Sequence, residues 1–159
     1  MCGITGFMSY GFTDYSAIVQ RMADQIKHRG PDGSGVWCDI NEGLALAHRR
    51  LSIIDLSDAG SQPMMSSDGR WVLVFNGEIY NHAELRSEIN STSGSFNWRG
   101  HSDTETLLAA LQIWGIEKTL PRLNGMFSFA LWDTSRSVLS LARDRAGEKA
   151  RPTNRNVPI

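Results

Sequence analysis

The chain is expected to fold as an α+β domain built on antiparallel sheets, and three features of its 159 residues carry that expectation. Charge-poor runs of β-branched and aromatic residues stand in neighbouring pairs across turn-forming residues, as hairpins do. Apolar residues at helical spacing fall in a few stretches between these runs, which puts the helices outside sheet layers. Apolar residues make up 41% of the chain and charged residues 21%, ordinary globular usage, and the length suits one core rather than two.

Taken in order, Ile4, Gly6 and Met8 alternate with Thr5, Phe7 and Ser9 in a run free of charge, which predicts a buried strand beginning almost at the first residue. Ile18, Val19, Met22 and Ile26 follow at helical spacing. His28-Arg29-Gly30-Pro31-Asp32-Gly33-Ser34-Gly35 is too rich in Gly and Pro for regular structure and is expected to be a shaped loop. Residues 36–39 and 44–48 form a strand pair turning at Asn41-Glu42-Gly43, residues 49–56 continue apolar, and 58–69 are turn-rich. Trp71-Val72-Leu73-Val74-Phe75 is the cleanest strand and is expected to end in a turn at Asn76-Gly77.

Residues 81–89 suit a short helix and 90–100 a polar loop. Ser102, three residues before Glu105, makes a capping box ahead of Leu107, Leu108, Leu111 and Trp114, so a helix is expected from about Asp103 to Gly115, with another short one over 116–123. Residues 126–132 and 137–142 complete the fold as strands across a turn at Asp133-Thr134-Ser135-Arg136. The last ten residues, 150–159, carry two prolines and two arginines without periodicity and are expected to be a loose tail.

Sixteen Lys and Arg against seventeen Asp and Glu leave a net charge of −1, which gives no footprint for nucleic acid or an anionic membrane and favours a small-molecule substrate. No apolar stretch has the length of a membrane span and the first residues lack the basic flank of a signal peptide, so a cytoplasmic protein is expected. Two cysteines, Cys2 and Cys38, are expected to be free thiols, Cys38 as a core residue. The four histidines lack metal-site spacing, and neither glycine-rich phosphate motif occurs.

Cys2 has the most distinctive chemistry. Loss of Met1, expected before a small second residue, would put a thiol and a free α-amine on one residue. A free thiol has a pKa of about 8.5 and an α-amine of about 7.7–8.0, so the amine can act as base for its own thiol without a histidine. Taken alone, Cys2 reads more readily as a small apolar residue of the first strand.

Six motifs change that balance: Met1-Cys2-Gly3-Ile4, His28-Arg29-Gly30-Pro31-Asp32, Ala47-His48-Arg49-Arg50-Leu51-Ser52-Ile53, Asn76-Gly77-Glu78-Ile79-Tyr80-Asn81, Ser102-Asp103-Thr104-Glu105 and Asn124-Gly125-Met126-Phe127. In this order, over residues 1 to about 149, they closely resemble the glutaminase domain of glutamine-hydrolysing asparagine synthase. Several recur across class II glutamine amidotransferases; Arg50-Leu51-Ser52-Ile53-Ile54-Asp55 and the run from Asn76 to Asn81 resemble the asparagine-synthase branch.

The resemblance implies an N-terminal-nucleophile hydrolase fold, four αββα layers with two antiparallel sheets, and hydrolysis of L-glutamine to glutamate and ammonia. It implies that Cys2 is the nucleophile, that Asn76 and Gly77 form the oxyanion hole, and that Arg50 holds the substrate carboxylate through a bidentate fork. It assigns substrate binding also to Leu51, Ser52, Ile53, Ile54 and Glu78, and the α-ammonium group to Asp103. Locally, Asn76-Gly77 also suits an ordinary turn, and Asp103 suits the first turn of a helix for its dipole alone. The Arg29 to Gly33 loop is either a wall of the pocket or a structural turn, and Arg49, beside Arg50, is expected to point elsewhere.

Where the family follows Asp144-Arg145-x-Gly147-Glu148-Lys149 with a Pro-Leu-Tyr-Tyr-like run, this chain reads Ala150-Arg151-Pro152-Thr153. The reading is therefore a domain over 1–149 with a divergent tail over 150–159, C-terminal strands missing and a sheet edge exposed. The expected partners are L-glutamine and a synthetase domain or chain, with a homo-oligomer left open and neither nucleic acid nor membrane. No cofactor is expected for the glutaminase reaction, ATP and Mg belonging to the synthetase domain. The alternatives are an inactive glutamine-binding or interaction fragment, or another class II amidotransferase.

Overall fold

A computed structural model of the chain describes residues 2–51, 60–94 and 96–150. Strand β1 (Gly3–Met8) lies antiparallel to β3 (Leu44–Arg50), which pairs on its other side with β2 (Gly33–Asp39), giving a sheet of order β1-β3-β2. The second sheet has the order β4 (Met64–Met65), β5 (Trp71–Ile79), β6 (Gly125–Asp133) and β7 (Val138–Arg143), all neighbours antiparallel.

Period-two alternation decides what each face meets. Leu44 and Leu46 of β3 pack with Val72 and Val74 of β5 and with Ala130 and Trp132 of β6, which glues the two sheets face to face. The intervening Ala45 and Ala47 turn outward to Tyr15, Val19 and Ala23 of α1 (Tyr15–Gln25), where their small side chains let the helix sit close. On the other side Leu73, Phe75 and Ile79 of β5 meet Leu85 of α2 (His82–Ser93) and Leu107, Leu108 and Leu111 of α3 (Asp103–Thr119). The result is the expected four-layer αββα arrangement, in which each fully buried Leu or Val contributes about 1.5–3 kcal/mol.

Helix starts follow their caps. Asp14 accepts the Ala17 N–H at 2.9 Å ahead of α1, and Ser102 accepts the Glu105 N–H at 3.2 Å ahead of α3. The Glu105 carboxylate does not return to Ser102; it takes the N–H groups of Arg99 and Gly100 at 2.7 and 3.0 Å, tying the preceding loop to the helix.

Four boundaries differ from the sequence expectation. Asn76-Gly77 makes no turn, because β5 stays in register with β6 from Trp71↔Asp133 to Ile79↔Gly125. Strand β2 begins at Gly33, inside the segment expected to be loop, since Gly33 to Gly35 pair with Arg50 to His48. Helix α2 runs on to Ser93, and α3 continues past Gly115, whose φ of 75° and ψ of 167° kink it into the short helix expected after it. Ser52, Ile53, Ile54 and the tail from 151 lie outside the described residues.

Among the described residues β1 and β2 are the outer strands of the first sheet and β4 and β7 those of the second, and residues of both β1 and β7 line one cleft. Between the sheets lies a cleft of about 650 Å³, with Ile4, Gly6 and Leu46 on one wall and Val74, Asn76 and Ser128 on the other.

Candidate active site

Cys2 stands one residue before β1 and is half-buried. The register Gly3↔Arg49 brings it beside the end of β3, where the Leu51 N–H donates to its Sγ at 3.4 Å and the Leu51 carbonyl lies 3.7 Å away. The Arg29 Nε donates to the Cys2 carbonyl at 3.4 Å. Gly30 lets this loop lie directly on β3: a Cβ there would sit 2.4 Å from the Arg49 carbonyl, and the next polar backbone group, the Asp32 N–H, donates to the Arg50 carbonyl at 3.0 Å. The loop thus packs against both Cys2 and the Arg50 backbone.

The adjacent arginines diverge, as strand geometry demands. Arg49 turns to α1, donating to the Ala23 carbonyl at 3.2 Å and pairing with Asp24. Arg50 alternates to the inner side with Leu44, Leu46 and His48, opposite Gly33 of β2.

Asn76 and Gly77 come from the other sheet. Asn76 alternates with Phe75 and so faces the cleft beside Val74; its Oδ1 end is buried and has no hydrogen-bond partner. An amide end left so is costly in a folded protein and is available to a ligand. The backbone around it is heavily tied. Strand β4 covers β5 only at Val72 and Leu73, and past that point side chains take over the open edge. The Phe75 N–H donates to Gln62 Oε1 at 2.6 Å, His48 Nε2 donates to the Phe75 carbonyl at 3.1 Å, and the Ile79 N–H donates to Asp103 Oδ2 at 3.0 Å.

Antiparallel alternation puts the N–H of Gly77 on that same edge, between residues 75 and 79, and no acceptor among the described residues takes it. Glycine is required at 77 by the partner strand: a Cβ would stand 2.2 Å from the Met126 carbonyl oxygen and 2.8 Å from the Phe127 Cβ. The reason for the glycine is thus the close approach of β6, in addition to any approach of a ligand.

Asp103 is 5% exposed at the first position of α3, where Oδ1 accepts the Thr104 N–H at 2.8 Å and Oδ2 the Ile79 N–H. Burial pushes its carboxyl above the ordinary range; the two N–H groups and the His82 charge pull it back, and exposed Glu78 pushes it further up. His82, at the start of α2, has a buried Nδ1 without a partner. Behind Gly77, Asp144 accepts the N–H groups of Phe127, Glu148 and Lys149 at 3.2, 2.8 and 3.0 Å and so anchors the strand opposite it.

Cys38 is half-buried against the α1 cluster, where burial first and Asp14 second push its thiol pKa up. No trio of His, Cys, Asp or Glu that could hold a metal, and no helix long and apolar enough to cross a membrane, occurs among the described residues. Of the residues that sequence reasoning singled out, Cys2, Arg50 and Leu51 lie together where β1 starts and β3 ends, and Asn76, Gly77 and Glu78 lie on β5 beside Asp103 of α3, which accepts the Ile79 N–H. Sequence reasoning missed Gln62, His48 and Asp144 as supports. For His48 a signal existed, a polar side chain at the position where β3 alternation calls for another Leu.

Comparison with known proteins agrees with this geometry. A family model described as a glutamine amidotransferase domain matches residues 1–152. The chain is 37% identical to the glutamine-hydrolysing asparagine synthetase 3 of Bacillus subtilis, across 94% of this chain and 24% of that protein. It is 43% identical to the glutamine-hydrolysing asparagine synthetase B of Escherichia coli, across 77% of this chain and 21% of that protein. The chain therefore spans about a quarter of the length of these curated relatives. Among solved structures, glutamine phosphoribosylpyrophosphate amidotransferase from B. subtilis, complexed with ADP and GMP, superposes with a TM-score of 0.67 at 18% identity, over 90% of this chain and 36% of that one. That likeness establishes the N-terminal-nucleophile hydrolase fold.

Proposed function

The chain belongs to the glutamine amidotransferase domain family, and on that premise we propose that it hydrolyses L-glutamine to glutamate and ammonia through Cys2, as the ammonia-supplying half of an asparagine synthase. The observation that carries the reading is the pairing of two unused polar groups on one strand, the buried amide end of Asn76 and the open Gly77 N–H, with Asn76 lining the same cleft as Gly3 and Ile4, the residues that follow Cys2. The Gly77 N–H is a donor as it stands, and the Asn76 amide, turned about its terminal bond so that Nδ2 takes the place of the unpartnered Oδ1, supplies the second donor that a tetrahedral oxyanion requires.

With Met1 removed, the Cys2 amine takes the thiol proton and the thiolate attacks the carbon of the glutamine side-chain amide. The C=O π pair moves to oxygen, where Asn76 and Gly77 receive it. Collapse breaks the C–N bond, the α-ammonium returns the proton to the leaving nitrogen, and ammonia departs; water then cleaves the thioester to glutamate. Arg50 forks the substrate carboxylate, Asp103 and Glu78 take its α-ammonium group, and Leu51, Ser52, Ile53 and Ile54 line the pocket. Cys2, Asn76 and Gly77 do the chemistry with no metal or nucleotide in any step. The ammonia passes to an ATP-using synthetase domain or chain, in the cytoplasm, where both thiols stay reduced.

The test is intact mass together with a glutaminase assay on the same purified sample, against Cys2→Ala. Glutamate and ammonia released by a chain lacking Met1, and abolished in Cys2→Ala, are the expected result. A folded chain lacking Met1 that turns over no glutamine would overturn the reading.

A further inference from the structure

The nucleophile and the oxyanion donors of the proposed reaction belong to different sheets, so catalysis depends on how firmly one sheet is registered on the other. Most inter-sheet contacts near the site are apolar, among them Leu44 and Leu46 against Val72 and Val74. Such contacts are strong but not directional, and they tolerate small slides. Two directional side-chain bonds, Trp132 to Asp39 and Ser137 to Glu42, join the layers at the hairpin end, remote from Cys2.

We propose that His48 is a positioning residue for the oxyanion hole: its ring reaches from the first sheet to the Phe75 carbonyl and sets the strand that presents Asn76 and Gly77 against Cys2. The proposal rests on the hydrolase reading above.

Each part of the arrangement has a physical cause. The register Ile4↔His48 puts His48 beside β1 two residues from Cys2, and two residues before Arg50 on its own strand. One side chain therefore connects the nucleophile's strand and the carboxylate-binding strand to the residue preceding Asn76. The Phe75 carbonyl needs a donor because β4 stops at Leu73. Continuing the register Met64↔Leu73 puts Gln62 level with Phe75, and there the Gln62 side chain satisfies the N–H at 2.6 Å while its Nε2 reaches Thr104 Oγ1 at 3.4 Å. The carbonyl falls to His48 at 3.1 Å.

A carbonyl can only accept, so Nε2 carries the hydrogen. His48 is 1% exposed, and burial with the nearby Arg50 charge keeps the ring neutral at physiological pH. A neutral imidazole in this tautomer is a fixed single donor rather than a proton carrier. The bond holds Phe75 from the side opposite β6, so residues 76 and 77 are gripped between a hydrogen-bonded ladder and an inter-sheet strut. Misplacement of catalytic groups by about 1 Å can slow a reaction on the order of 100-fold.

The test compares His48→Leu, which keeps the packing and deletes the donor, with His48→Gln, whose amide nitrogen can take the place of Nε2. The expected result for His48→Leu is a kcat about 10- to 100-fold below that of the unaltered chain with KM for glutamine within about threefold, and kcat largely restored in His48→Gln. Amide hydrogen exchange at Phe75 and Asn76, whose N–H groups are held by Gln62 and by β6, should quicken in His48→Leu and not at Leu107 or Leu108 of α3. His48→Met serves the same comparison should leucine prevent folding. Unchanged kcat and exchange in His48→Leu would overturn the proposal, as would an equal fall in both variants. If the unaltered chain releases no ammonia, the hydrolase reading fails by itself, and the exchange arm alone decides whether His48 holds the strand.

Discussion

Acidification should unfold this protein earlier than its carboxylates require, through His48. The ring is pushed down to about 4 from its ordinary 6.5, by burial first and by the Arg50 charge, with the Phe75 carbonyl opposing. Between those values the unfolded chain binds a proton that the folded chain refuses, so stability falls as the pH drops through that window and is fully present above it. The difference of roughly 2.5 units at 1.36 kcal/mol each amounts to about 3 kcal/mol, a large share of the 5–15 kcal/mol typical of a domain. The carboxylates act differently. Asp133, held at about 2 against an ordinary 3.8 by its pair with Arg70, costs stability only below the ordinary value. Asp103, raised by burial, holds its proton to higher pH when folded and so works against acid unfolding. Urea unfolding at about pH 7, 5.5 and 4.5, for the unaltered chain and His48→Gln, isolates the imidazole. The unaltered chain should lose stability at up to about 1.4 kcal/mol per pH unit below 6, and the variant should be nearly flat there. The same slope in both would refute the assignment of acid sensitivity to His48.

Gly77→Ala puts a Cβ 2.2 Å from the Met126 carbonyl oxygen and should cost about 1–3 kcal/mol along with activity; an unchanged melting temperature would show that β6 can move aside at no cost. Leu107→Ala removes a side chain that is 0% exposed between β5 and α3 and should cost about 2–5 kcal/mol in urea unfolding, with a loss below 1 kcal/mol showing that the site collapses. Arg50→Lys keeps the charge but not the fork and should raise KM for glutamine about tenfold or more with a smaller change in kcat. An unaltered KM would remove Arg50 from the carboxylate site.

What could be read from residue order was what covalent geometry dictates locally. The alternation along β3 separates Arg49 from Arg50, the cap at Ser102 starts its helix, and Gly115 breaks α3 near the position expected. The motif residues from Cys2 to Asp103 could be named from the sequence too, through the order of the six motifs that carry the family resemblance. Asn76-Gly77 shows the limit: the dipeptide is a good turn, yet nine paired positions on β6 outweigh the local preference. Nothing near residue 76 in the chain announces that partner. His48 shows the same limit from the other direction. A histidine on an apolar face is visible in the sequence, but its task exists because β4 begins only at Met64, opposite Leu73, and leaves the Phe75 carbonyl bare on another sheet. Residue types and the face each one occupies follow from the sequence by itself, because a strand's period is set by its bonds. Which faces meet, and which backbone groups are left for side chains to satisfy, depends on where distant strands end, and tertiary structure alone decides that.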